Sequence, residues 1–193
     1  MCALLNGSLF SLDPAWWQIL AWNRDRKEIV LTEDDWRERV RLLRRFGMDT
    51  IVVQFAVQEG RSFYPSALFP PRYGKDDDPI GAILDESTRC GIGVYMPLGS
   101  LAPSYRVTND LTDLGRLAGT RSLIAELCSR YGRLKSFAGW FVAEEPQKGL
   151  AEGREYLAAL SRLAHEATPD LPVICAPHIQ NEGLEDPGLL REL

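Results

Sequence analysis

At 193 residues the chain is long enough to bury a sizeable core as one domain, and its 45% apolar and 25% charged residues are ordinary for a globular protein. Twenty-two basic against 27 acidic residues leave a net charge of −5, which argues against a nucleic-acid or anionic-membrane partner. No apolar run approaches the roughly 18 residues that a membrane span needs.

The N-terminus, Met1-Cys2-Ala3-Leu4-Leu5-Asn6, has no positive region and too short an apolar stretch for a signal peptide. The first strand starts almost at Met1, so loss of an upstream export signal is compatible with this, and localisation stays open. Cys2, Cys90, Cys128 and Cys175 fall at wide, irregular spacings without a CxxC or CxxH pattern, so no metal site is expected. No GxGxxG or Walker-type loop is present, and no cofactor is expected.

The elements follow in chain order. Residues 4–12 are a short apolar stretch that reads as a first strand, followed by a long aromatic connection with Trp16, Trp17 and Trp22. Thr32 is placed to cap a helix, with Asp35 at the capping-box position and Glu33 and Asp34 favouring the positive end of the helix dipole. Trp36, Val40, Leu43 and Phe46 recur at helical steps as a buried stripe, and Gly47 ends the helix. Arg37, Arg39, Arg41, Arg44 and Arg45 alternate with Glu38 and apolar residues, the pattern of a solvated helix face.

Residues 49–55 form a β-branched second strand, apolar on both faces as a covered parallel strand should be. A long loop follows, closing on Asp76-Asp77-Asp78-Pro79, where Pro79 suits the first turn of a helix that Gly91 stops. The third strand spans 92–98. A helix from about Asn109 to Tyr131 leads to the fourth strand at 137–143, and a helix from Leu150 to Ala167 leads to the fifth at 172–176.

Strands that alternate with helices imply a parallel sheet with right-handed crossovers. Every long connection follows a strand, and every helix-to-strand turn is short. Elaboration at the C-terminal ends of strands is the habit of a β/α barrel, so the expected fold is a partial (β/α)8 TIM barrel of about five units. Residues 1–193 then make one incomplete domain, since a full barrel takes eight units and about 250 residues. The unclosed edge would invite self-association.

The fourth strand delivers Glu144 and Glu145 to the C-terminal rim, where a carboxyl with a raised pKa can serve as a general acid. Neighbouring strand residues point to opposite faces, so one faces the barrel mouth and the other supports it. The competing reading is that both are solvated carboxylates at the start of the next helix. Trp16, Trp17 and Trp22, with Phe63 and Tyr64, are candidate platforms for sugar rings, or else the apolar underside of long loops. Gln54 and His178, at the ends of the second and fifth strands, are candidate hydroxyl binders, and His178 has a purely structural alternative. Asp13 reads as a loop cap and His165 as a surface residue.

The ordered set Thr32-Glu33-Asp34-Asp35-Trp36, Phe46-Gly47-Met48-Asp49-Thr50-Ile51-Val52-Val53-Gln54, Tyr64-Pro65-Ser66, Tyr131-Gly132 and Ser136-Phe137-Ala138-Gly139-Trp140-Phe141-Val142-Ala143-Glu144-Glu145 resembles the DUF4434 family of glycoside-hydrolase-like TIM barrels. The resemblance implies a carbohydrate substrate, with Trp16, Trp17, Gln54, Tyr64 and His178 available to bind it. Glu145-Pro146 is also similar to the Asn-Glu-Pro of the retaining (β/α)8 hydrolase clan, which implies an acid/base role for Glu145, with Glu144 in place of the clan's Asn. The DUF4434-like pattern instead puts its glutamate nearer Glu144. The clan's nucleophile comes from a seventh strand, so the implied enzyme is incomplete as given. The alternative is a non-catalytic carbohydrate-binding or polysaccharide-assembly protein on the same scaffold.

Overall fold

The computed structural model describes residues 6–12, 31–98, 114–142 and 150–175. In chain order the elements are β1 (Gly7–Phe10), α1 (Glu33–Arg45), β2 (Thr50–Val53), β3 (Val57–Gln58), β4 (Arg61–Ser62), α2 (Pro79–Cys90), β5 (Gly93–Leu98), α3 (Leu114–Tyr131), β6 (Phe137–Val142), α4 (Leu150–Ala167) and β7 (Val173–Cys175).

The helix ends follow the local chemistry. Thr32 Oγ1 accepts from the Asp35 N–H at 3.2 Å, and the Thr32 N–H donates to Asp35 Oδ2 at 2.8 Å, a closed capping box for α1. Asp78 caps α2 through the Gly81 N–H at 2.8 Å, with Pro79 in the first turn, and Gly91 closes the helix in the left-handed region. Trp36 and Val40 are buried, and the Trp36 ring lies 5.4 Å from that of Phe10. The expected stripe stops short of Phe46, which is 71% exposed. Phe46 is the C-cap, beyond the last helical turn, so the periodicity that holds through Leu43 no longer aims its side chain at the sheet.

Five strands form one parallel sheet in the order β1-β2-β5-β6-β7. The order never reverses. A doubly wound sheet turns back at a switch point and puts helices on both faces, whereas successive right-handed crossovers in one direction put every helix on one face. The sheet therefore winds as a barrel does, and the fold is a partial β/α barrel.

The register sorts the two faces. Ile51 pairs with Val94 and Met96 with Trp140, and all four are fully buried beneath the helices. On the opposite, concave face Leu9 pairs with Val52, Val52 with Tyr95, and Tyr95 with Gly139. A Cβ on Gly139 would lie 2.7 Å from the Tyr95 ring, so the glycine lets that ring cross β6. The concave row is less covered, with Leu9 48% exposed and Val52 and Tyr95 half-buried.

The long loop after β2 contains an unforeseen hairpin, β3–β4, in which Gln58 pairs with Arg61. Its two-residue turn needs positive φ at both positions, and Glu59 (φ 50) and Gly60 (φ 71) supply them. Glutamate is poorly suited to that region, and its ion pair with Arg72, at 3.5 Å, is too exposed to offset much. Glu59→Asn is expected to gain up to about 1 kcal/mol, read as a rise of roughly 2–4 °C in Tm; an unchanged or lower Tm would contradict the strain.

Candidate functional site

In a barrel-wound sheet the C-terminal ends of the strands form the rim at which side chains converge. Here that rim begins at Ser11 after β1 and Gln54 after β2, and continues from Leu98 and Val142 at the ends of β5 and β6. The Gln54 N–H donates to the Phe10 carbonyl at 2.9 Å, so the ladder continues one residue past β2. Alternation places Gln54 on the concave face with Val52. Its side-chain Oε1 is buried and has no hydrogen-bond partner. The Tyr73 hydroxyl donates to the Leu12 carbonyl at 2.6 Å, tying the loop after β2 to the end of β1.

Tyr64 has a different setting from Gln54. It is 1% exposed, and its hydroxyl donates to Glu126 Oε2 of α3 at 2.6 Å. The edge of Tyr131 and the guanidinium of Arg130 flank its ring, at 6.2 and 6.0 Å. With ring and hydroxyl both engaged by α3, Tyr64 anchors the loop, and the described geometry does not present it as a stacking platform for a sugar. Glu144, Glu145, Trp16, Trp17, Trp22, His178 and Asp13 lie outside the described residues.

Glu126 organises the loop. Besides Tyr64 it accepts from the Ser66 hydroxyl at 2.7 Å and the Ala67 N–H at 2.5 Å. Burial alone would raise its carboxyl, but the donors from Tyr64, Ser66 and Ala67, with Arg130 nearby, hold it below the usual glutamate range. Glu126→Gln is expected to cost about 2 kcal/mol, since charge-assisted bonds in a partly exposed site are lost together. The depressed pKa makes this contribution complete above the unfolded glutamate range and lost as pH falls through the folded value. The stability gap between wild type and Glu126→Gln should therefore close as pH drops below about 4. A gap constant with pH would contradict the clamp.

Asp78 is a second partly buried carboxyl that the sequence showed only as part of an acidic turn. Burial pushes it above the usual aspartate range, against the opposing hydrogen bonds from Tyr131 (2.7 Å) and the Gly81 N–H. Its own N–H donates to Glu33 Oε1 at 3.0 Å, so it joins the starts of α1 and α2 to the end of α3. These partners lie on the helix side of the sheet, and Asp78 is structural. Among the described residues there is no group of three or more His, Cys, Asp or Glu side chains placed to hold a metal ion. None of the described helices is long and apolar enough to cross a membrane.

The DUF4434 family, described as a domain of unknown function, matches the chain over residues 9–193. No curated protein matches the sequence. Among solved structures, a candidate alpha-L-fucosidase from Bacteroides thetaiotaomicron VPI-5482 superposes with a TM-score of 0.67 at 20% identity, covering 90% of this chain and 51% of that one. The GH5_18 protein of Streptomyces cattleya, solved with GlcNAc, has a TM-score of 0.56 at 18% identity and covers 89% and 44%. A GH29 alpha-L-fucosidase from Bacteroides thetaiotaomicron has a TM-score of 0.56 at 14% identity and covers 82% and 39%. At these identities the likeness is one of fold, and the chain spans about half the length of the first of these structures.

Proposed function

This chain belongs to the DUF4434 family, and from that membership and the build of its rim we propose that it is a glycoside-hydrolase-like protein acting on glycosidic bonds. The observation that supports the proposal is the single-direction winding of the parallel sheet, in which β6 runs toward the C-terminal rim and the sequence carries Glu144-Glu145 shortly after it. Glycosidic cleavage needs a carboxylic acid to protonate the leaving oxygen and a second carboxylate as base or nucleophile. Phe141 has the concave parity of Tyr95, through the pairing of Tyr95 with Gly139. The acid role is assigned to Glu145, which precedes Pro146, and the supporting role to Glu144.

Trp16 and Trp17 are the proposed stacking rings, and Gln54 and His178 the proposed hydroxyl binders. The second carboxylate belongs to the part of a barrel that lies beyond β7. Among the described residues β1 and β7 are the edge strands of the sheet, where further strands, or a second copy of the chain, would add. The experiment is hydrolysis of a panel of aryl glycosides and polysaccharides by the wild type, Glu144→Gln and Glu145→Gln. Full activity in both variants would sink the catalytic assignment. Glycan binding without turnover, lost in Trp16→Ala or Trp17→Ala, would move the reading to a non-catalytic carbohydrate-binding protein.

A further inference from the structure

Helix α1 uses two of its sides and leaves a third apolar. Trp36, Val40 and Leu43 turn one side toward the sheet. A second side faces α2, where Arg41 reaches Glu86 at 3.1 Å and Glu33, held by Arg37, accepts from the Asp78 N–H at 3.0 Å. At 3.6 residues per turn, Leu42 and Phe46 lie about 140° round the axis from Arg37 and Arg41, on the side away from α2. They stand one turn apart and are 44% and 71% exposed. Single exposed apolar residues are ordinary, but two in successive turns of one helix make a continuous ridge.

The charges beside the ridge are of one sign. Arg39 stands one turn before Leu42, with its guanidinium 5.6 Å from the centre of the Trp36 ring, and Arg45 stands one turn after; both are exposed. Neither forms an ion pair among the described residues, whereas Arg37 and Arg41 each meet two carboxylates. Asp35, the acid on this side, is engaged by the Thr32 N–H and hydroxyl at 2.8 and 2.7 Å. In a chain of net charge −5 the flank is thus a local apolar and cationic strip.

We propose that the Leu42–Phe46 flank of α1 docks an amphipathic helix of a partner protein, whose apolar stripe is bordered by acidic residues. Anchors at i and i+4 match the ridge that one helix offers another, and the bare arginines call for carboxylates. A second copy of the chain fits poorly. Antiparallel pairing centred on Leu42 sets Arg39 of each copy beside Arg45 of the other. Among the described residues the other large exposed hydrophobics are Leu9, on a strand, and Leu68, in a loop, so no other described helix offers a matching stripe. An anionic lipid surface would meet the repulsion of the chain's net negative charge.

The test titrates the 15N-labelled chain with a synthetic leucine-striped helical peptide of about 16 residues, made once with glutamates bordering the stripe and once with lysines. The glutamate peptide should move the amides of Arg39 to Gly47, leave Gln54 and Leu98 still, and bind about tenfold more tightly than the lysine peptide. Phe46→Ser should weaken its binding about tenfold, the loss of one apolar anchor, and Arg45→Glu should remove the preference for glutamate. Both positions are exposed, so Tm should stay within about 2 °C of the wild type, which separates lost docking from lost folding. Equal binding of the two peptides, shifts centred elsewhere, or none at saturating peptide would overturn the proposal. So would a dimer that Phe46→Ser dissociates, which makes a second copy the occupant, or binding to phosphatidylserine vesicles that Phe46→Ser abolishes.

Discussion

Replacing Trp140 by alanine is expected to cost about 3–5 kcal/mol of folding stability, the range for deleting a large buried aromatic ring. Trp140 is fully buried on β6, which has β5 on one side and β7 on the other. Its ring meets Phe137 edge-on at 4.9 Å, and its indole N–H donates to Thr168 Oγ1 at 2.7 Å, just past α4. One side chain thus joins an interior strand of the sheet to the helix layer. Thr168 keeps a second bond to the Ala164 carbonyl at 3.0 Å, so Trp140→Phe should lose only the indole bond, about 1 kcal/mol plus a small packing term. Denaturant unfolding of both variants measures the two contributions. A loss below 1 kcal/mol for Trp140→Ala would contradict the interior placement of β6.

The second large effect is catalytic. In a completed barrel, the proposed acid role of Glu145 predicts that Glu145→Gln lowers turnover of an unactivated glycoside by about 10²–10⁴-fold, the usual contribution of a general acid. Glutamine keeps the shape and loses the proton. An aryl glycoside with an acidic leaving group needs little protonation, so the same variant should lose much less on that substrate. A general stability defect would lower both rates equally, which separates the two causes. If Glu144→Gln shows the leaving-group dependence instead, the acid role belongs to Glu144.

What could be read from the sequence was what short-range chemistry controls. The Thr32–Asp35 box, Pro79 at the start of α2, Gly91 at its end and the β-branched run of β2 are set within a few residues of chain. From the alternation and the loop lengths followed the parallel sheet, and from the sheet the barrel sense. Contacts between distant residues were hidden. Tyr64 and Glu126 are 62 positions apart, and nothing local marks Tyr64 as an anchor. The β3–β4 hairpin was missed because its strands are two residues long and its turn is Glu-Gly, where Asn-Gly would have announced it. Of the rim, Gln54 was legible because it ends a strand.

The proposed function puts carbohydrate at the C-terminal rim of the sheet. Titration of the 15N-labelled protein with L-fucose and with D-mannose, followed by amide shifts, tests this most directly. The predicted result is that shifts cluster at the strand ends, at Ser11, Leu12, Gln54 to Gln58 and Leu98, while Thr50, Gly93 and Phe137 at the opposite ends stay still. Shifts confined to those opposite ends or to the outer helices, or none at all at saturating sugar, would contradict it.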